Sequence, residues 1–244
     1  MAVFYPGNAY YSRIRRKNLI MSFWIQYPHL TFNEELHEYR WNGRIVPSVT
    51  TVFDRLGHRK DDKSPWVSFG CPDFAKRDHD SSFGSAFHKM VNGMVTGKNV
   101  SIPDEMITWK QKVERFQNKY QSEPMYDHNG NEIAEYPMYS TSLKICGTVD
   151  YVCRMIKYGI LWLIDWKSTG IYQKNFSWQT EGYRNIFTNV FGGKIFDPRE
   201  KIIRATVLFS HDKDEPEVIQ RSCSTNPEDK IAFMSLMNTY KLSA

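Results

Sequence analysis

The chain has 244 residues, 41% of them hydrophobic and 15% aromatic, which suits one domain of generous size with a full core. Its four cysteines, Cys71, Cys146, Cys153 and Cys223, form no Cys-x-x-Cys pair, which argues against a zinc ribbon and against a secreted disulfide scaffold. A formal charge of +5, with no apolar run near the roughly 20 residues of a membrane helix, predicts a soluble, mildly basic protein with a polyanion as its natural partner.

Residues 1–33 carry no acidic residue and cluster Arg13, Arg15, Arg16 and Lys17. They are expected to be a basic extension: an organellar presequence, an unstructured arm, or a leader ahead of a start at Met21. Residues 34–244 are expected to form a single domain.

"HEYRWNGRIVPSVTTVFDRL" places Asn42-Gly43 between two short β-prone runs, which predicts a hairpin over about residues 37–46. Pro47-Ser48 ends it, and Ser48 is suited to cap a helix from Val49. Residues 57–82 are polar and rich in turn formers, so they are expected to form a surface segment with short helices at most. In "SSFGSAFHKMVNGMVTG", Phe87, Met90, Val91 and Met94 share one helical stripe. In "EMITWKQKVERFQNKY", Met106, Trp109, Val113, Phe116 and Tyr120 share another, and core packing accounts for it.

A meander of three strands follows, over 132–141, 143–155 and 160–169, with "IKYG" as the last turn. "FSWQTEGYRNIFTNVFGG" predicts a helix with Gly192-Gly193 at its C-terminal cap. "KIIRATVLFS" predicts a strand, and 226–241 a last helix. This order gives an α/β fold with a mixed sheet.

The chemistry concentrates in "GTVDYVCRMIKYGILWLIDWKSTG", which sets Asp150, Asp165 and Lys167 among apolar residues. Burial of such charges is costly without compensation. Alternation along the strand puts Leu161, Leu163, Asp165 and Lys167 on one face and Trp162, Ile164 and Trp166 on the other. Asp150 approaches Asp165 if the hairpin turns at 157–159. Two carboxylates with no other partner repel, and a hard divalent cation such as Mg²⁺ or Mn²⁺ relieves that. A plain Asp–Lys ion pair at a strand end is the alternative.

In this order the motifs resemble the PD-(D/E)XK nuclease superfamily, in its RecB-type and phage-exonuclease-like branch. "GTVD" (147–150) and "IDWKSTG" (164–170) are similar to the two metal-binding strands, "GSAFH" (84–88) to the Gly-x-x-x-His helix motif, and "QTEGY" (179–183) to the Gln-x-x-x-Tyr helix. "HEYRWNGRIVPSVT" is similar to the N-terminal hairpin of phage-encoded members. The resemblance covers about residues 34–210. It implies a restriction-endonuclease-like core: a central mixed sheet flanked by helices, with an N-terminal β-hairpin and a helical extension.

The resemblance implies a metal shell of His88, Asp150, Asp165 and the carbonyl of Trp166. Gly84 and Ala86 then leave room for the helix to approach a strand. Lys167 aligns the attacking water, with Asp150, Asp165 and Glu135 as catalytic carboxylates. Gln179, Tyr183, Ser168 and Thr169 are implied to contact substrate. Trp66, Phe69 and Phe83 are candidates to stack unpaired bases, with core packing as the alternative. Arg55, Arg59, Lys60 and Lys63 are candidates to track phosphates, or a solvated surface run.

The implied activity is Mg²⁺- or Mn²⁺-dependent hydrolysis of DNA by an exonuclease in recombination, repair or genome processing. An inactive nucleic-acid-binding module, a structure-specific endonuclease, and a small-molecule metalloenzyme or structural protein are the alternatives. The expected partner is DNA, single-stranded or bearing an end, with room for a single-strand-annealing or replication protein, and no membrane. The cysteine spacing lacks the pattern of the iron–sulfur members, so no cluster is expected, and the absence of a phosphate-binding Gly-rich loop predicts no ATP. A cytoplasmic location follows, in the host if the source is a phage, with organellar import as the alternative.

Overall fold

A computed structural model describes residues 29–33, 38–57 and 74–242. The expected hairpin is present as β2 (Glu38–Trp41) and β3 (Arg44–Val46). Its turn residues Asn42 and Gly43 have φ of 50° and 76°, the left-handed backbone that Asn-Gly supplies at least strain. A strand that the sequence did not announce, β1 (Leu30–Asn33), pairs antiparallel with β2 and completes a small three-stranded sheet. Ser48 caps α1 (Val49–Gly57), its Oγ accepting the Thr51 N–H at 3.0 Å.

The helix α2 runs from Phe74 to Val95 and therefore starts well before the expected stripe. The polar, turn-rich composition of residues 57–82 predicts a surface segment with short helices at most, but residues 74–82 belong to this helix. They are helical because no proline separates Pro72 from Pro103, so a helix nucleated by its packed half extends backwards. Trp66, Phe69, Arg59, Lys60 and Lys63 lie outside the described residues, as does the Arg55 side chain. A 3₁₀ turn (Asp104–Met106) leads into α3 (Ile107–Tyr120), which Gln121 ends at φ 46°.

The main sheet has six strands: β4 (Ser122–Pro124), β5 (Ala134–Ser140), β6 (Ile145–Met155), β7 (Ile160–Lys167), β8 (Ile202–Leu208) and β9 (Glu217–Arg221). β6 is the spine. One of its edges pairs antiparallel with β4 and then β5, and the other with β7. Pro124 and Pro137 are tolerated because β4 and β5 are outer strands. β8 joins β7 in parallel and β9 closes the sheet antiparallel, which makes it mixed. The parallel step is made through α4 (Lys174–Phe191), and α5 (Pro227–Leu242) ends the chain.

Each face of this curled sheet buries its own core. Leu161, Leu163, Val149 and Tyr136 pack with Val49, Tyr183, Ile186, Phe187 and Phe233, so α1, α4 and α5 cover one side. Trp162, Ile164, Trp166 and Tyr151 pack with Phe87, Met90, Trp109 and Phe116, so α2 and α3 cover the other. This is the division of β7 that strand alternation predicts. The small sheet docks separately, through Tyr39 and Trp41 onto Tyr139 and Cys146. No helix among the described residues is long and apolar enough to cross a membrane.

Candidate active site

The site begins at a local irregularity. Glu135 holds φ at 46°, outside the conformations of a regular strand. Before it, Ala134 and its partner Tyr151 pack on the α2 side. After it, Tyr136 and its partner Val149 pack on the α4 side. Glu135 and Asp150 therefore stand where β5 and β6 exchange faces, and neither is committed to a core.

Ladder pairing between β6 and β7 stops at Tyr151–Ile164, although β7 continues to Lys167. On the same edge of β6, Cys146 pairs with Ser48. In the interval between, the carboxylate of Asp150 replaces the missing ladder contact: its Oδ2 accepts the Trp166 N–H at 2.7 Å. In a strand, the N–H and C=O of one residue face the same edge, so the Trp166 carbonyl is directed into the same interval.

Across it, α2 supplies His88. Its Nδ1 lies 3.3 Å from Glu135 Oε1 and 3.6 Å from Asp150 Oδ2. One ligating atom from each of His88, Glu135 and Asp150 falls within 4.8 Å of the others. One imidazole nitrogen and two carboxylate oxygens are a donor set that fits a divalent cation. Gly84 does not act as expected. A Cβ there would meet nothing within 4 Å, so the helix makes no close approach at that point.

Asp165 falls in a neighbouring cluster. Its side chain is 1% exposed, and Lys167 Nζ donates to Oδ1 at 3.0 Å. The same Nζ lies 2.9 Å from Oδ2 at an angle that makes no hydrogen bond, which leaves Oδ2 buried and unsatisfied among the described residues. Lys167 also donates to Gln179 Oε1 at 3.3 Å and stands 4.8 Å from the centre of the Phe176 ring. Gln179 Nε2 donates to the Tyr183 hydroxyl at 2.9 Å, which fixes which end of the amide meets the lysine. The shared face of Gln179 and Tyr183 on α4 is thus directed at the lysine. Tyr183 fits only because residue 147 is glycine: an alanine Cβ would lie 2.7 Å from its ring.

The charges interact through this small volume. Burial depresses His88, but the Asp150 charge, with the hydrogen bond and charge of Glu135, outweighs it and raises the imidazole above its ordinary value. Burial raises Asp150, and Asp165 and Glu135 add to the effect against His88 and Lys167. The Tyr183 phenol is held well above its usual range by burial and by the nearby Asp165 and Asp150 charges. It stays a neutral donor or acceptor.

Of the remaining expected residues, Ser168 and Thr169 are half-buried in the turn after β7, where the Thr169 hydroxyl accepts the Ile171 N–H at 3.3 Å. Phe83 packs edge-to-face on Trp109, 5.5 Å between centroids, in the core under α2. Two side chains stand out that no catalytic or metal-binding motif marks. Tyr39 reaches β6 from the small sheet. Arg204, in β8, is buried against Glu181 and Asp229; its only signal was a lone charge inside an apolar run. No protein-family model matches the sequence, and no curated protein matches it.

Proposed function

We propose that this chain is a divalent-metal-dependent deoxyribonuclease with a restriction-endonuclease-like core, acting as an exonuclease on DNA in recombination, repair or genome processing. One observation carries the reading. A histidine and two carboxylates meet in the interval beside the strand whose lysine is held by a third carboxylate. An Asp–Lys ion pair at a strand end leaves that convergence unaccounted for.

His88, Glu135 and Asp150 would hold the cation, with Asp165 and the Trp166 carbonyl beside them. A bound Mg²⁺ or Mn²⁺ supplies charge neutralisation at the scissile phosphate and makes the attacking water more acidic. The rest falls to the chain's own groups. Two N–H bonds of the Lys167 ammonium are engaged by Asp165 and Gln179, so the third is left to orient the water or to meet a phosphate oxygen. Glu135, with a side chain 41% exposed, faces the solvent from which that water arrives. The water oxygen bonds to phosphorus as the bond to the 3′-oxygen breaks; the water gives up a proton to solvent, and the leaving 3′-oxygen takes one up to end as a hydroxyl.

Exonuclease action follows from the family resemblance, and a pair of substrates tests it. With Mg²⁺ or Mn²⁺ the protein should degrade end-labelled linear single-stranded DNA and leave a closed circle of the same sequence intact. Chelation should stop the reaction. Cleavage of both forms makes it an endonuclease, and cleavage of neither removes the hydrolytic reading for single strands.

A further inference from the structure

The small N-terminal sheet makes a side-chain hydrogen bond to β6 beside the site. Tyr39, on β2, is 8% exposed and places its hydroxyl 2.7 Å from Thr148 Oγ1. Thr148 lies on β6 two residues before Asp150 and is only half-buried. Its strand partner is Pro137, two residues beyond Glu135 on β5. The pair therefore borders the interval in which His88, Glu135 and Asp150 converge.

Proton counting gives the pair a consequence. Each hydroxyl has one proton and can also accept. Whichever of Tyr39 and Thr148 donates to the other, the acceptor keeps its own proton, and among the described residues no further partner receives it. Trp41 stacks on Tyr139 at 4.5 Å and holds the sheet in place, so the hydroxyl pair is fixed rather than free to turn away. A fixed donor at the border of a group of carboxylates can meet an anion that those carboxylates would otherwise repel.

We propose that the Tyr39–Thr148 hydroxyl pair is a phosphate-binding element, through which the N-terminal sheet holds the DNA backbone in the active site. This rests on the nuclease reading above and adds to it a substrate contact contributed by the small sheet. Burial, with the charges of Cys146, Glu135 and Asp150, outweighs the lowering effect of the Thr148 hydrogen bond and raises the Tyr39 phenol to about 12, so the donor is present at all working pH values.

The test is binding of a fluorescent single-stranded oligonucleotide in Ca²⁺, with the oligonucleotide checked to be uncut, by the full chain and by Tyr39→Phe and Thr148→Val. The phenylalanine keeps the ring contact with Phe32, now 4.5 Å between centroids. Each variant should bind about tenfold more weakly, in the range of a hydrogen bond to a charged group, and the double variant should be no weaker than either single one. A second oligonucleotide carries neutral methylphosphonate linkages. On it the variants should match the wild type, whereas a merely structural loss would weaken both ligands alike. Variants equal to wild type on the charged strand, or equally impaired on both strands, overturn the proposal while leaving the nuclease reading in place. A wild type that neither binds nor cleaves DNA overturns both.

Discussion

In the proposed site, Asp150 and His88 offer the same atoms to protons and to a cation. His88 is raised to about 9 because two carboxylates outweigh the effect of its burial, and Asp150 is raised chiefly by burial. Both groups must lose a proton to ligate, so binding a cation releases protons. The sign is therefore fixed: affinity for Mg²⁺ should increase as pH rises from about 6 to about 9 and level off beyond the His88 value. Calorimetry in two buffers of different ionisation enthalpy should show the released protons directly. An affinity that is flat across that interval would contradict a site built from these two residues. The sequence made Asp150, Asp165 and Lys167 legible because a charge inside an apolar run is conspicuous. It did not show that Glu135 would lie nearer His88 than Asp165 does, because that depends on one left-handed residue in β5, which no motif announces.

At the scale of elements, α4 is the part on which the lysine's surroundings depend, and it is fastened from behind by buried charge. Arg204 on β8 is 1% exposed and lies 3.1 Å from Glu181 Oε2 and 3.0 Å from Asp229 Oδ2. Asp229 opens α5 and also accepts the Ser177 hydroxyl at 2.9 Å, while Arg184 donates to Glu181 at 2.6 Å. Ser177 and Glu181 flank Gln179 on α4, so β8 and α5 set where that glutamine stands. Removing one member leaves a buried charge uncompensated. Asp229→Ala should therefore lower unfolding free energy by about 3–5 kcal/mol in urea titration, and a loss below about 1 kcal/mol would contradict the network's role. Helices with an apolar stripe, and the Asn-Gly hairpin, were legible because local periodicity and turn chemistry encode them. Strands β1, β4 and β9 were not. They are short, and their pairing is decided by partners distant in the chain.

Across the whole molecule, the candidate site occupies the place where three coverings of the sheet meet. α2 and α3 cover one side, α1, α4 and α5 the other, and the small sheet docks on Tyr139 and Cys146 beside the interval in β6. Each contributes a polar group: His88 from α2, Gln179 from α4, and Tyr39 from the small sheet. The α/β architecture was readable from element order alone. The convergence of these groups was not, since it depends on a sheet that loses its ladder between two strands.

In the proposed enzyme, cation binding falls to one cluster and the chemistry of hydrolysis to Lys167 in the other, and one paired measurement separates them. Mn²⁺ binding by electron paramagnetic resonance and digestion of end-labelled DNA should be read on the same preparations of wild type, Asp150→Asn and Lys167→Ala. The expected result is that Asp150→Asn loses both Mn²⁺ and activity. Lys167→Ala should bind Mn²⁺ as the wild type does while its hydrolysis falls by about 10²-fold or more. Wild type that binds no Mn²⁺, or Lys167→Ala that digests DNA at the wild-type rate, would contradict the account.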